Sequence, residues 1–473
     1  MSETPKSPRK QRELPHIFVI LFSVLIVATI ATYIIPAGSY LRVMDENIKR
    51  MVIDPASFGY ISQTPVSIFD MFVSIELGLI EAANITFLIF AAFSCLYLME
   101  KTGAIDASIA LMVDKTQKNP HLAALIIVIL MIVLSVWGST GTLSYEEIIA
   151  FSPIFVALSI ALGYDALVGV GISVVPVGVG FASATVNPFT IGVAQAIAEL
   201  PVFSGLGFRC VILIVMTTFS IAYVLHYAHR VKKTPQKSLV YGIDYSELAI
   251  DKERMATPFT TQRKLSIVVL FVGICAMGYG LIFLKWYINQ VAAVFMIVSV
   301  LVGLINRWSA NKIAATLCEG LSKGVLAALI VGVARGILVV ITKGNILDTI
   351  IHACVSLLEH LSLYASAVGM LVFQTILNFL IPSGSGQAAV SMPIMTPIAD
   401  LIGLNRQIAV LIFQFGDGFS NLLWPTGFMV IVCAMVGIPL GKYYRWILPF
   451  YAICFVIQVL FIGAAIAINY GPF

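Results

Sequence analysis

Charge is what this chain has least of. Only 11% of its 473 residues are Asp, Glu, Lys or Arg, whereas a soluble domain carries roughly a quarter, so no long stretch can stand in water as a separate globule. Reactive side chains are equally sparse. Cys95, Cys210, Cys275, Cys318, Cys354, Cys433 and Cys454 are scattered through apolar segments with no C-x-x-C spacing, and His121, His226, His229, His352 and His360 lie at segment ends with no H-E-x-x-H pair. These absences weigh against a disulfide framework, a zinc site and a metallopeptidase, and the cysteines read as small buried hydrophobes. The net charge of +4 is no nucleic-acid signal. It comes from basic residues flanking apolar runs: Lys6, Arg9, Lys10 and Arg12, then Lys232, Lys233 and Lys237, then Arg263 and Lys264.

What the chain has is membrane-grade hydrophobicity, with 59% apolar residues and a mean hydropathy of +0.98. A spanning helix needs about 20 apolar residues. Residues 17–35, 85–98, 210–225, 265–284, 288–305, 325–341 and 446–468 qualify as simple spans or near-spans. The first has no small-residue cleavage pattern and is expected to be a membrane helix, not a removable signal. The remaining apolar regions, 122–137 with 148–162, 167–198, 361–380 with 388–401, and 408–438, are interrupted by Gly, Pro, Ser, Thr and Asn. Residues 105–113 and 346–358 are too short to span and read as interfacial arms.

The deepest interruption is Asn378 to Pro397, whose centre, Pro382 to Gln387, is expected to break the helix because proline removes a donor and glycine and serine disfavour helix. Backbone left unpaired at membrane depth survives only inside protein or beside a wet cavity. Ser383, Gly384, Ser385 and Gly386 are therefore expected to form the tip of a re-entrant hairpin at a binding site. Leu134 to Thr142 breaks the first half in the same way, and paired interruptions in two halves point to a secondary transporter.

An internal repeat with an offset of about 240 residues supports the pairing. Gly78 and Gly103 answer Gly320 and Gly344, each second glycine leading into an aspartate, Asp106 or Asp348. The tips align as Ser139-Thr140-Gly141 with Gly384-Ser385-Gly386; Pro153 and Gly163 match Pro393 and Gly403; Gly180-Phe181-Ala182-Ser183 matches Gly418-Phe419-Ser420-Asn421, with Pro188 and Pro425 beyond. With the N-terminus cytoplasmic, Lys and Arg fall inside only if the second repeat runs opposite to the first.

The expected organisation is an all-α polytopic protein of inverted repeats, with two re-entrant hairpins and two broken helices. Its parts are a tail at 1–14, a helix and external loop at 15–77, a first repeat at 78–230 with a hairpin at 119–162, a cytoplasmic linker at 231–264, scaffold helices at 265–319, and a second repeat at 320–473 with a hairpin at 361–402.

Candidate ligand groups cluster at the breaks. One tip offers Ser139, Thr140, Gly141 and Thr142, the other Ser383, Gly384, Ser385, Gly386 and Gln387; the broken helices add Ser183, Thr185, Asn187 and Pro188, and Asp417, Ser420, Asn421, Pro425 and Thr426. Helices that restart at the centre favour anionic groups, and freed carbonyls favour a small cation. Asp417 stands inside an apolar run, where a carboxylate is by default functional. Glu146 and Glu147 follow the first tip closely; one of them faces the cavity and the other the hairpin base. Arg335, well inside a clean span, either anchors a substrate carboxylate or pairs with an acid, and the uncharged repeat partner near Ser94 favours pairing. Asp417 with Glu146 or Glu147 suits an amine or guanidinium and the helix ends suit an α-carboxylate, so charge matching favours a basic amino acid over a dicarboxylate. No ring of like residues suggests a channel, and Ser139 and Ser385 have no histidine or lysine in their segments to make an enzyme.

The motifs Leu134-Ser-x-Trp137-x-Ser139-Thr140 with Pro153-Ile154, Pro382-Ser-Gly-Ser-Gly-Gln387 with Pro393-Ile394, Asn187-Pro188-Phe189-Thr190 and Phe415-Gly-Asp-Gly-Phe419 resemble those of the anaerobic C4-dicarboxylate carrier family. More narrowly, the chain is similar to its branch of basic amino acid, or arginine/ornithine-type, antiporters of bacterial inner membranes. The resemblance implies the ion-transporter fold: a homodimer in membrane lipid, with scaffold helices holding a mobile hairpin domain that works as an elevator. It also implies a coupling ion, Na+ or H+, and no other cofactor. Sodium-coupled dicarboxylate members carry Ser-Asn-Thr at each tip. Here the tips read Gly138-Ser139-Thr140 and Ser383-Gly384-Ser385, a departure that weighs against sodium coupling and dicarboxylate specificity.

Overall fold

A computed structural model describes residues 16–45, 50–119, 121–358 and 361–471. Among them, nine helices are long and apolar enough to cross a bilayer: Ile17–Ile34, Ala83–Lys101, His121–Thr140, Leu206–Lys233, Thr261–Phe283, Ile288–Ile305, Ala310–Lys343, Leu363–Leu380 and Leu440–Ala467. Several outrun the apolar stretches that mark them in sequence. Leu206–Lys233 continues through Arg230, Lys232 and Lys233, because a helix does not end where hydrophobicity does. Ala310–Lys343 has 34 residues, about 50 Å at 1.5 Å per residue, so its Lys312 end extends beyond a hydrocarbon core of about 30 Å.

The all-α expectation needs one correction. The segment before residue 66 carries two small antiparallel ribbons, Gly38–Ser39 with Gly59–Tyr60 and Arg42–Asp45 with Arg50–Ile53. These strands are too short and polar for periodicity to reveal. A further helix, Ile68–Glu81, runs into Ala83–Lys101 across Ala82, and both pack along Ala310–Lys343. The crossing is a glycine seam: a Cβ on Gly78 would collide with the backbone of Gly332 and Gly336, and one on Gly320 would lie 2.6 Å from Ser94 Cα. Small residues let membrane helices approach this closely.

Each half then repeats one order. An arm helix, Ala104–Lys118 or Leu347–Leu358, follows a left-handed residue, Gly103 (φ 73°) or Asn345 (φ 52°). Next comes a helical hairpin, His121–Thr140 with Tyr145–Ala161, or Leu363–Leu380 with Gly384–Leu401. A broken helix follows, Ala166–Ala182 then Ile191–Ile197, or Arg406–Ser420 then Phe428–Met435. Leu206–Lys233 and Leu440–Ala467 close the two halves. The first leg of each hairpin packs on the broken helix of its own half, and Ala166–Ala182 is buried along its whole length. The broken helices are thus the core, and the apolar faces around them hold the tips in place.

The repeat extends to the arms. Asp106 and Asp348, both almost fully buried, stand in the first turns of the two arm helices, and each grips an arginine, Arg254 from the short helix Lys252–Met255 or Arg42 from the strand Arg42–Asp45. Arg254 donates to Asp106 through Nε and Nη2, both at 2.9 Å, and to Glu100 at 3.2 Å. Arg42 donates to Asp348 through Nη1 at 3.0 Å and Nη2 at 2.9 Å, beside the Tyr40 N–H at 3.0 Å. Bidentate pairing of this kind fixes orientation as well as position.

Candidate functional site

The first hairpin turns at Gly141 (φ 75°), where the Thr142 N–H closes the helix end on the Trp137 carbonyl at 2.9 Å. Glycine is required twice over: the φ is left-handed, and a Cβ would lie 3.1 Å from Asn187 Oδ1. The next helix starts at Tyr145, where Glu147 accepts the Ser144 N–H at 2.7 Å, so Glu147 caps its own helix while Glu146 stays free for the cavity.

The second tip is shorter than its sequence suggests. Only Ile381, Pro382 and Ser383 lie between Leu380 and the helix that opens at Gly384, so Gly384, Ser385, Gly386 and Gln387 are helical and not part of the break. A first turn has no intrahelical use for its N–H groups, which removes the penalty that made those residues look like breakers. Gln387 also turns away from the centre, its amide donating to Gln374 O at 2.9 Å and Gln374 Oε1 at 2.7 Å.

Each tip sits on the break of its own half. The Thr185 N–H donates to Ser139 O at 2.9 Å, and the hydroxyls of Ser139 and Thr185 meet at 3.1 Å. In the second half Asn378 donates to Asp417 O at 3.0 Å, Ser420 Oγ at 2.6 Å and Asn421 Oδ1 at 3.1 Å. A Cβ on Gly384 would lie 3.0 Å from Asp417 Oδ2 and 2.5 Å from Thr190 Cγ2, so the second tip rests on both residues. The two halves join where Gly418 packs against Ala182, with Tyr145 Oη donating to Gly418 O at 3.0 Å and Gln414 Nε2 to Phe181 O at 2.6 Å. Carbonyls of the unwound segments that face outward are satisfied by the closing helices: Arg209 donates to Thr185 O at 3.0 Å, Tyr443 to Leu422 O at 2.7 Å and Tyr444 to Leu423 O at 2.9 Å.

Between the tips lies a cavity of ≈80 Å³. Gly141, Ser144, Glu146 and Glu147 line it from the first tip, Pro382, Ser383, Gly384 and Ser385 from the second, and Phe181, Phe189 and Thr190 from the first broken helix. Tyr287 and Val291, at the start of Ile288–Ile305, close the remaining side. Both Asp417 carboxylate oxygens, Ser183 Oγ, Asn187 Nδ2 and Thr190 Oγ1 are buried without a hydrogen-bond partner among the described residues. Buried polar groups are nearly always paired, so a cluster of unpaired ones marks a place for a ligand or ion.

The sequence description "C4-dicarboxylate anaerobic carrier" (DcuC) matches residues 14–467. The chain belongs to the DcuC family. It is 32% identical to the Escherichia coli protein named "Putative basic amino acid antiporter YfcC" over 94% of each chain. It is 29% identical to an uncharacterized Haemophilus influenzae protein over 93% of this chain and 94% of that one. Two solved transporters align at low identity: Neisseria gonorrhoeae MtrF, described among antimetabolite efflux pumps (18%, 95% of each chain, TM-score 0.44), and Alcanivorax borkumensis YdaH (12%, 97% of this chain and 100% of that one, TM-score 0.48). This DcuC-family chain is a multi-pass membrane protein of a transporter family.

Within the DcuC-family fold the expected residues separate by surroundings. Gly141, Glu146, Glu147, Ser383, Gly384 and Ser385 line the cavity, while Ser139, Ser183, Thr185, Asn187, Asp417, Ser420 and Asn421 form the junctions behind it. Others turn elsewhere. Thr140 and Thr142 bond each other at 2.7 Å, and Thr142 packs at Gly278 of the helix Thr261–Phe283. Thr426 donates to Phe379 O at 2.9 Å, Gly386 lies over Ser383, and Pro188 and Pro425 stand in the unwound segments. Thr190 and Asn378 are not among the site residues expected from the sequence. Both sit in motifs visible in the sequence, Asn187-Pro188-Phe189-Thr190 and the start of the second break.

Proposed function

We propose that this protein is a secondary active transporter of the bacterial cytoplasmic (inner) membrane that moves a basic amino acid of the arginine/ornithine type, by antiport. One observation carries the reading: the centre is of mixed sign. Two helices begin there, at Tyr145 and Gly384, and two end there, at Ala182 and Ser420, with the Asp417 and Glu146 carboxyls beside them. Helix starts favour a carboxylate, helix ends and acids favour a cation, and a basic amino acid presents both. The name of the Escherichia coli relative supports the same class.

In this reading the hairpins re-enter the membrane from opposite faces. The arms, hairpins and broken helices of repeats 78–230 and 320–473 move as an elevator past scaffold helices that also form a homodimer. Asp417 and the orphaned hydroxyls around it hold the substrate cation or a coupling Na+ or H+. The family description and the paired helix starts favour a second reading, a C4-dicarboxylate carrier coupled to sodium or protons. Uptake of labelled arginine, ornithine, succinate and fumarate into proteoliposomes, with and without internal counter-substrate, separates the two. Arginine uptake that requires internal ornithine or arginine supports the proposal; uptake of succinate or fumarate alone overturns it.

A further inference from the structure

We propose that Arg335 is the carboxylate-binding residue of the central site, supplied by the long helix Ala310–Lys343 and not by the hairpins. The proposal rests on the reading of the centre as a substrate site and holds for an amino acid or a dicarboxylate. The internal ion pair expected from the sequence is not formed: among the described residues the Arg335 guanidinium makes no hydrogen bond or salt bridge. Other arginines of the chain have structural tasks, Arg42, Arg254 and Arg406 on carboxylates and Arg209 on backbone carbonyls. Arg335 instead lines a recess of ≈20 Å³ with Pro382, Thr426, Gly427 and Phe428. Pro382 and Ile85 wall both this recess and the ≈80 Å³ cavity, so Arg335 adjoins the central cavity across Pro382 without lining it.

A cation at membrane depth is costly unless it meets a partner, and the planar fork of arginine matches a carboxylate with two parallel donors. The face of the helix that carries Arg335 is fixed by backbone. A Cβ on the adjoining Gly336 would lie 2.9 Å from Ser74 O, and Gly332 is pressed on Leu79, so the helix cannot rotate Arg335 away. Glu81, and more weakly Glu146, are the acids whose charge acts on Arg335. The substrate carboxylate therefore lies on Arg335, and its cationic end points to Glu146 and Asp417.

The test compares L-arginine with agmatine, the same cation without the carboxylate, by thermal stabilisation of the purified full-length protein and by competition in proteoliposome uptake. Wild type is expected to prefer arginine. Arg335→Gln is expected to lose arginine affinity by roughly 100-fold and leave agmatine within about 3-fold; Arg335→Lys, which keeps the charge, falls between. An unchanged arginine-to-agmatine ratio in Arg335→Gln overturns the proposal. So does recovery of wild-type discrimination in Arg335→Gln/Glu146→Gln, which would make the arginine a neutraliser of Glu146. A wild type that binds succinate and not arginine ends the amino-acid reading alone; Arg335→Gln must then lose the preference for succinate over succinamate. A wild type stabilised by neither arginine nor succinate overturns both.

Discussion

Asp417 is buried with neither carboxylate oxygen paired among the described residues, while its backbone carbonyl takes hydrogen bonds from Asn378 and Asn421. Backbone and side chain therefore have separate tasks, and Asp417→Asn is expected to leave the fold intact and cut uptake by at least about 100-fold, read in proteoliposomes beside a size-exclusion profile. Glu146 and Glu147 divide differently. Because Glu147 holds the Ser144 N–H, Glu147→Ala is expected to cost about 1 kcal/mol of stability, whereas Glu146→Gln alters uptake with little change in melting temperature. Asp417 was legible in the sequence because an acid in an apolar run stands out. Arg209 was not: the apolar count begins at Cys210, yet the helix begins at Leu206 and buries Arg209 in its first turn. Hydropathy windows cannot see a charge that is spent on backbone carbonyls next door.

At the scale of elements, the repeat was the most readable feature, since arm, hairpin, broken helix and closing helix recur in the expected order. The length of the second tip was not, because Gly and Ser disfavour helix interiors but are harmless in a first turn. The paired aspartates were seen as a motif without a purpose; their purpose is to hold Arg254 and Arg42. Removing either partner leaves a buried carboxylate unpaired. Arg254→Ala is expected to raise amide exchange in Ala104–Lys118 but not in Leu347–Leu358, and Arg42→Ala the reverse, as measured by hydrogen-exchange mass spectrometry. Equal loosening of both arms would show that they are not independent latches. Gly141→Ala adds a strained φ and a contact with Asn187, and is expected to cost about 1–2 kcal/mol, measured as a fall in melting temperature.

Across the whole molecule, the two halves meet at the Ala182 and Gly418 crossing, where any added side chain strikes backbone. Gly418→Leu is expected to separate the broken helices, lower the melting temperature and abolish uptake together. Seven of the nine membrane-capable helices stand out in the hydropathy of the sequence, while His121–Thr140 and Leu363–Leu380 read there as legs of hairpins. The two short ribbons and the helix Ile68–Glu81 were not legible, because local pattern is weak there and tertiary packing decides.

The glycine seam along Ala310–Lys343 supplies a fixed yardstick. Rods in backbone contact resist sliding past one another, so spin labels at the exposed Leu77 and Leu329 should report one unchanging separation, whatever solute is added. Any interval that does vary is then measured from that seam, whose long helix carries Arg335.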